Sequence, residues 1–175
     1  FENMLRWIQK VIEQLPGSIA GFAIQQDAQL GNGLREVAVS TDPPYYDNIA
    51  YADLADFFYI WMRQSLGELY PSLFKTMLGP KTDELVATPY RFEGGTQEAQ
   101  KFFEDGMLKA FKQIFKFSSK DYPVTVYYAY RQTENDYGDK SSSIASTGWE
   151  TMLSALIQAG FSLAGTWPMR TEMAN

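Results

Sequence analysis

The chain has 175 residues, 45% of them hydrophobic and 15% aromatic, which is enough for one domain with a real core and far from a disordered composition. It contains no cysteine and no histidine, which excludes disulfides, thiol nucleophiles, imidazole bases, Ser-His-Asp triads and zinc sites built on those side chains. The formal net charge is −6 and the isoelectric point about 4.7, the opposite of the basic footprint a free-standing nucleic-acid binder needs, though not of a catalytic core whose basic surface lies elsewhere.

Met4, Leu5, Trp7, Ile8, Val11 and Ile12 recur at helical spacing and predict a helix over 2–14, closed by Pro16-Gly17. The apolar run 19–24 reads as a short buried strand that delivers Asp27 into a loop; Asp27 either caps that turn or contacts a ligand. Gly31-Asn32-Gly33 is a loop signal, and a strand is expected over 36–41. Residues 51–66 form a helix with Leu54, Phe57, Phe58, Trp61 and Met62 on one face, a stripe expected to be core. Residues 67–95 lack long periodicity and contain Pro71, Gly79, Pro80, Pro89 and Gly94-Gly95, so a short helix and an irregular excursion are expected; such long loops are often functional. Within it, Lys81 and Arg91 are either phosphate contacts or solvated charges.

Residues 96–117 give the strongest helix, with Phe102, Phe103, Leu108, Phe111, Ile114 and Phe115 on one broad face. Its lysines 101, 109, 112 and 116 are interleaved with acids and read as a solvated face. The run 123–130 is nearly continuous in apolar and aromatic residues, as in a buried parallel strand. A polar loop over 133–146 follows, then Thr147 and Glu150 at capping-box spacing open a helix that ends at Gly160. A last strand is expected over 161–167. Strands alternating with crossover helices make this an α/β chain with a mostly parallel sheet and flanking helices.

The stretch Ser40-Thr41-Asp42-Pro43-Pro44-Tyr45-Tyr46-Asp47-Asn48 stands where the 36–41 strand ends. In open α/β sheets ligands bind at the carboxyl ends of strands. Two prolines fix φ near −65° and remove two backbone donors, so the loop is stiff and its carbonyls are free. The Asp42 carboxylate and the Pro43 carbonyl are both acceptors, and an exocyclic amino group offers two N–H donors. Holding both protons leaves the nitrogen lone pair free. Tyr45 offers a flat face for a base extruded from its stack. The same residues are also ordinary turn formers, Asp at the turn start and Pro after it.

The tetrad resembles the catalytic loop of amino-methyltransferases, which methylate adenine N6 or cytosine N4 with S-adenosylmethionine. Together with 51–59, Glu84 to Arg91, Ser146 to Glu150 and Gly165 to Glu172, it resembles a prokaryotic group of large adenine-specific DNA methylases that carry an N-terminal domain of unknown function. The resemblance implies a partial Rossmann-like methyltransferase fold. Residues 1–175 would form part of one catalytic domain, with an insertion at about 51–95. It implies Asp42, Pro43 and Tyr45 as the catalytic loop and Pro44 as its rigid spacer. Asp27 becomes a candidate S-adenosylmethionine contact, and Tyr46, Asn48, Arg91, Arg170 and Glu172 candidate substrate contacts. With no run of about 18 apolar residues no membrane span is expected, the absence of cysteine fits a cytoplasmic location, and no metal is expected; the resemblance implies that DNA would be held largely by regions outside this chain. The family's glycine-rich cofactor loop of the Asp-Pro-Phe-x-Gly-x-Gly type has no counterpart here. The chain is therefore expected to be an internal fragment that lacks the loop upstream and is inactive alone. The tetrad leaves open a cytosine or RNA target, or a non-catalytic subunit of a defence-type complex using the same fold.

Overall fold

The computed structural model describes residues 1–15, 17–46, 50–128 and 141–169, with the backbone alone over 141–147. It is a mixed α/β arrangement of four helices and a two-stranded parallel sheet among the described residues.

Helix α1 spans Glu2–Gln14 and follows the apolar periodicity of its sequence, but buries none of its residues. Leu15 leaves the helical region for an extended conformation, as the residue before a proline must. The segment after it corrects the expected strand at 19–24. Ile19 is 87% exposed and Phe22 92%, and the segment has no regular structure. A parallel strand needs a hydrogen-bonding neighbour and cover on both faces. Among the described residues, 19–24 has neither.

Strand β1 (Ser40–Thr41) pairs in parallel with β2 (Thr125–Val126), Ser40 opposite Thr125 and Thr41 opposite Val126. The pairing reaches further than this two-residue ladder. Val37 forms a parallel bridge with Ser118, the Ser119 N–H donates to the Val37 carbonyl, and the Tyr127 N–H donates to the Thr41 carbonyl. Residues 37–41 are thus held along their length, and the chain that follows them is aimed by a sheet.

Helix α2 (Tyr51–Leu66) appears where its pattern predicts, yet buries no residue. Leu54, Phe57, Phe58, Trp61 and Met62, expected as core, are exposed. The core forms elsewhere, between α3 (Gly95–Phe117) and α4 (Ser141–Ala159). Ala99, Phe103, Met107, Phe111 and Ile114 from α3 meet Met152, Ala155, Leu156 and Ala159 from α4, each set at helical spacing. Helix α4 begins earlier than its capping box: position 147 lies inside it, because a local cap signal yields to whatever the helix packs on. It ends as expected. Gly160 adopts φ +106°, its N–H donates to the Ile157 carbonyl, and the Phe161 N–H donates to the Leu156 carbonyl, the two bonds of a Schellman cap. Beyond it, residues 161–167 form no strand; only Phe161 turns back, its ring edge-on to Phe115 at 5.1 Å. Of four expected strands two pair, so the described sheet is narrower than the sequence pattern implies.

Candidate functional site

The loop Asp42–Tyr46 leaves the carboxyl end of β1. Asp42 is exposed there, Pro43, Pro44 and Tyr45 are half-buried, and Tyr46 is buried. Tyr46, named above as a candidate substrate contact, instead anchors the loop: its ring meets Phe103 of α3 edge-on at 5.2 Å and its carbonyl accepts the Ala87 N–H at 2.7 Å. Gly148 of α4 lies against this anchor. A Cβ there would sit 3.1 Å from the Tyr46 Cβ and 3.3 Å from the Tyr128 hydroxyl, so only glycine admits α4 this close without a shift.

Tyr45 takes the other direction and enters an aromatic array. Its ring is edge-on to Tyr51 at 6.3 Å and to Tyr128 at 6.2 Å, and Tyr128 stacks on Trp149 at 6.3 Å with 28° between planes. The loop, the first residue of α2, the chain after β2 and α4 each supply one ring. Burial above all, then Tyr45, Asp42 and Glu84, raise the Tyr51 hydroxyl above its usual value of 10.0, so it stays protonated and able to donate. Tyr51, Tyr128 and Trp149 were not singled out in the sequence as site residues. Tyr51 is signalled only by standing at the first helical position after the tetrad; Tyr128 lies in the run read as a buried strand, and Trp149 in the capping-box segment.

A polar clamp joins the excursion to α2. Arg91 bridges Glu84 and Asp53, each at 2.8 Å, and the Tyr90 hydroxyl donates to Asp53 at 2.9 Å. Lys81 pairs with Asp56 at 2.6 Å, and the Gly79 N–H donates to the same carboxylate. Burial alone would lower the Arg91 guanidinium, but its bonds to Glu84 and Asp53 outweigh that and raise it. Both cations considered as phosphate contacts, Lys81 and Arg91, are therefore committed to carboxylates of their own chain.

The clamp predicts an acid response. The bond from Arg91, then that from Tyr90, lowers the Asp53 carboxyl; the bond from Lys81, then the Gly79 N–H, lowers Asp56. Groups depressed in the folded state stabilise it above their unfolded value, here 3.8, and lose that contribution as pH falls through the folded value. Thermal unfolding is expected to be unaffected by these two groups between about pH 7 and 5 and to move down below about pH 4. Asp53→Asn with Asp56→Asn should flatten that acid limb; a double variant with the parent's acid limb would remove the assignment.

The remaining candidates fall apart from this site or outside the description. Asp27 is exposed and its carboxylate accepts the Gln29 N–H at 2.8 Å, the turn-capping alternative. Asn48, Arg170 and Glu172 lie outside the described residues. Gly31-Asn32-Gly33 lies in exposed irregular chain, with the Asn32 side chain accepting the Leu34 N–H, and no strand-to-helix glycine turn forms among the described residues. Among the described residues no cluster of three or more acidic side chains is placed to hold a metal ion, and no helix is long and apolar enough to cross a membrane. A groove of about 340 Å³ between α3 and α4, lined in part by Glu104, Asp105 and Glu150, shares no residue with the tetrad.

No protein-family model matches the chain, and no curated protein or solved structure gives a significant match to it.

Proposed function

We propose that this chain is the amine-holding half of a Rossmann-like methyltransferase that acts on an exocyclic amino group of a DNA base, adenine N6 first. The observation that supports this most is the pairing of one exposed carboxylate with one ring in a single rigid loop at a strand's carboxyl end: Asp42 faces solvent while Tyr45 forms part of the array with Tyr51, Tyr128 and Trp149. In this reading the amine donates one N–H to Asp42 and the other to the Pro43 carbonyl, and the base lies against Tyr45. Aromatic platforms of this kind contribute roughly 1–3 kcal/mol per base. Pro43 and Pro44 keep the two acceptors at fixed separation, because neither residue can rotate about φ or donate a competing bond. The reaction class comes from the resemblance of the tetrad and its neighbours to amino-methyltransferases. No transfer step is assigned to the residues described.

The test uses the native gene product with methyl-labelled S-adenosylmethionine and DNA of mixed sequence, followed by nucleoside analysis. Label in N6-methyladenine is expected. Label only in N4-methylcytosine, or only with RNA, would move the target; no label with any nucleic acid would overturn the reading.

A further inference from the structure

We infer that Glu84 and Arg91 are positioning residues for the Asp42–Tyr45 loop, acting through the first turn of α2; their bearing on a base rests on the function proposed above. Helix α2 starts after Ala50, which has no side chain able to cap it. Its first-turn donor is satisfied from 32 residues away, the Ala52 N–H donating to Glu84 Oε1 at 2.8 Å. The other oxygen, Glu84 Oε2, accepts from Arg91 Nη1 at 2.8 Å, and Arg91 Nη2 reaches Asp53 Oδ2 at 2.8 Å. Glu84 and Arg91 thus hold two successive residues of the α2 start, each through a separate bond.

The same short stretch holds the other side of the loop. Val86, Ala87 and Thr88 are buried, and the Ala87 N–H donates to the Tyr46 carbonyl at 2.7 Å. Behind them the 3-10 turn Pro89–Arg91 packs on α3, with Phe92 against Phe102 at 5.1 Å. One segment, 84–91, therefore grips the chain at Tyr46, directly after the tetrad, and again at Ala52 and Asp53.

The grip matters because α2 buries no residue of its own. Apolar packing does not fix its direction, so directional polar bonds do. Tyr51 is the first residue of α2 and forms one wall beside Tyr45, at 6.3 Å. A helix released at Ala52 and Asp53 would swing that wall away from Tyr45 without unfolding the α3–α4 core, which shares none of these residues. Arginine is required at position 91, since its planar fork reaches Glu84 and Asp53 in different directions and a lysine is a single point charge.

The experiment places 3-fluorotyrosine at position 45 alone in the native gene product and follows its fluorine resonance with and without adenosine. In Glu84→Ala and Arg91→Ala the resonance is expected to shift while far-UV circular dichroism and cooperative melting persist. Adenosine is expected to bind roughly tenfold more weakly, since displacements on the order of 1 Å are costly at positioned sites. Glu84→Gln keeps an acceptor for the Ala52 N–H but turns its amide donors toward Arg91, and is expected to place the resonance between those of the parent and Glu84→Ala. If the alanine variants do not fold, Arg91→Lys decides: a shifted resonance in folded protein supports positioning. An unshifted resonance in the folded variants, or a Glu84→Gln variant as displaced as Glu84→Ala, overturns it. If adenosine leaves the parent resonance unmoved while the alanine variants still shift it, the base-binding reading fails and the positioning role stands.

Discussion

Replacing Asp42 by alanine is expected to lower methyl transfer by the native gene product on the order of 100-fold or more while leaving its affinity for S-adenosylmethionine unchanged. Asp42 is exposed at the end of β1 and lies outside the buried core, so the fold should not register its loss. What is lost is one of two acceptors for the amine. Asp42→Asn keeps one acceptor but brings two donors that repel an N–H, and should fall between the parent and the alanine variant. The order of rates, parent above asparagine above alanine at equal cofactor binding, separates amine holding from a general disturbance of the site. An alanine variant at the parent's rate would remove Asp42 from the chemistry.

Phe103→Ala is expected to cost about 3–5 kcal/mol of stability, a large part of the roughly 5–15 kcal/mol available to a domain. Phe103 is 0% exposed and sits in the α3–α4 core, among the largest side chains there. It is also the ring that Tyr46 meets at 5.2 Å, so the cavity would open directly beneath the tetrad. Urea unfolding measures the loss. The companion variant is Phe58→Ala on α2, an equally large ring left in water, where a change within about 0.5 kcal/mol is expected. Equal costs at positions 103 and 58 would mean that α2 is packed after all.

That contrast shows where the sequence was readable. Helices α1, α2 and α3 begin and end within a residue or so of their expected limits, because periodicity, Pro16, Gly67 and Gly94-Gly95 are local signals. What periodicity does not state is whether an apolar stripe finds a partner. The stripes of α1 and α2 are as regular as that of α3, yet among the described residues, of these three, only α3 meets another helix. Strands were readable only in part for the same reason: 37–41 and 125–126 satisfy each other, whereas 19–24 and 161–167 match the same pattern and pair with nothing described. In the site, Asp42 to Tyr45 was visible as a contiguous motif. The clamp was not, since Glu84 and Arg91 act across 32 and 38 residues on a helix start whose missing cap is unremarkable in sequence. Arg91, read as either a phosphate contact or a solvated charge, turns its forked bonds to its own chain. Tyr46, adjacent to Tyr45 and chemically identical, faces the core because alternate residues of an extended loop point to opposite sides.

The bare stretch Ile19–Ile24 has a consequence for handling the molecule. It is apolar and uncharged, with no acidic or basic residue between Glu13 and Asp27, and it is exposed without regular structure. Such a segment is a template on which identical chains can stack edge to edge, and Gly21 alone interrupts its tendency to do so. Concentrated solutions of this chain should gel or form fibres seeded from that stretch, and a gatekeeping lysine, Phe22→Lys, should raise the concentration at which they do.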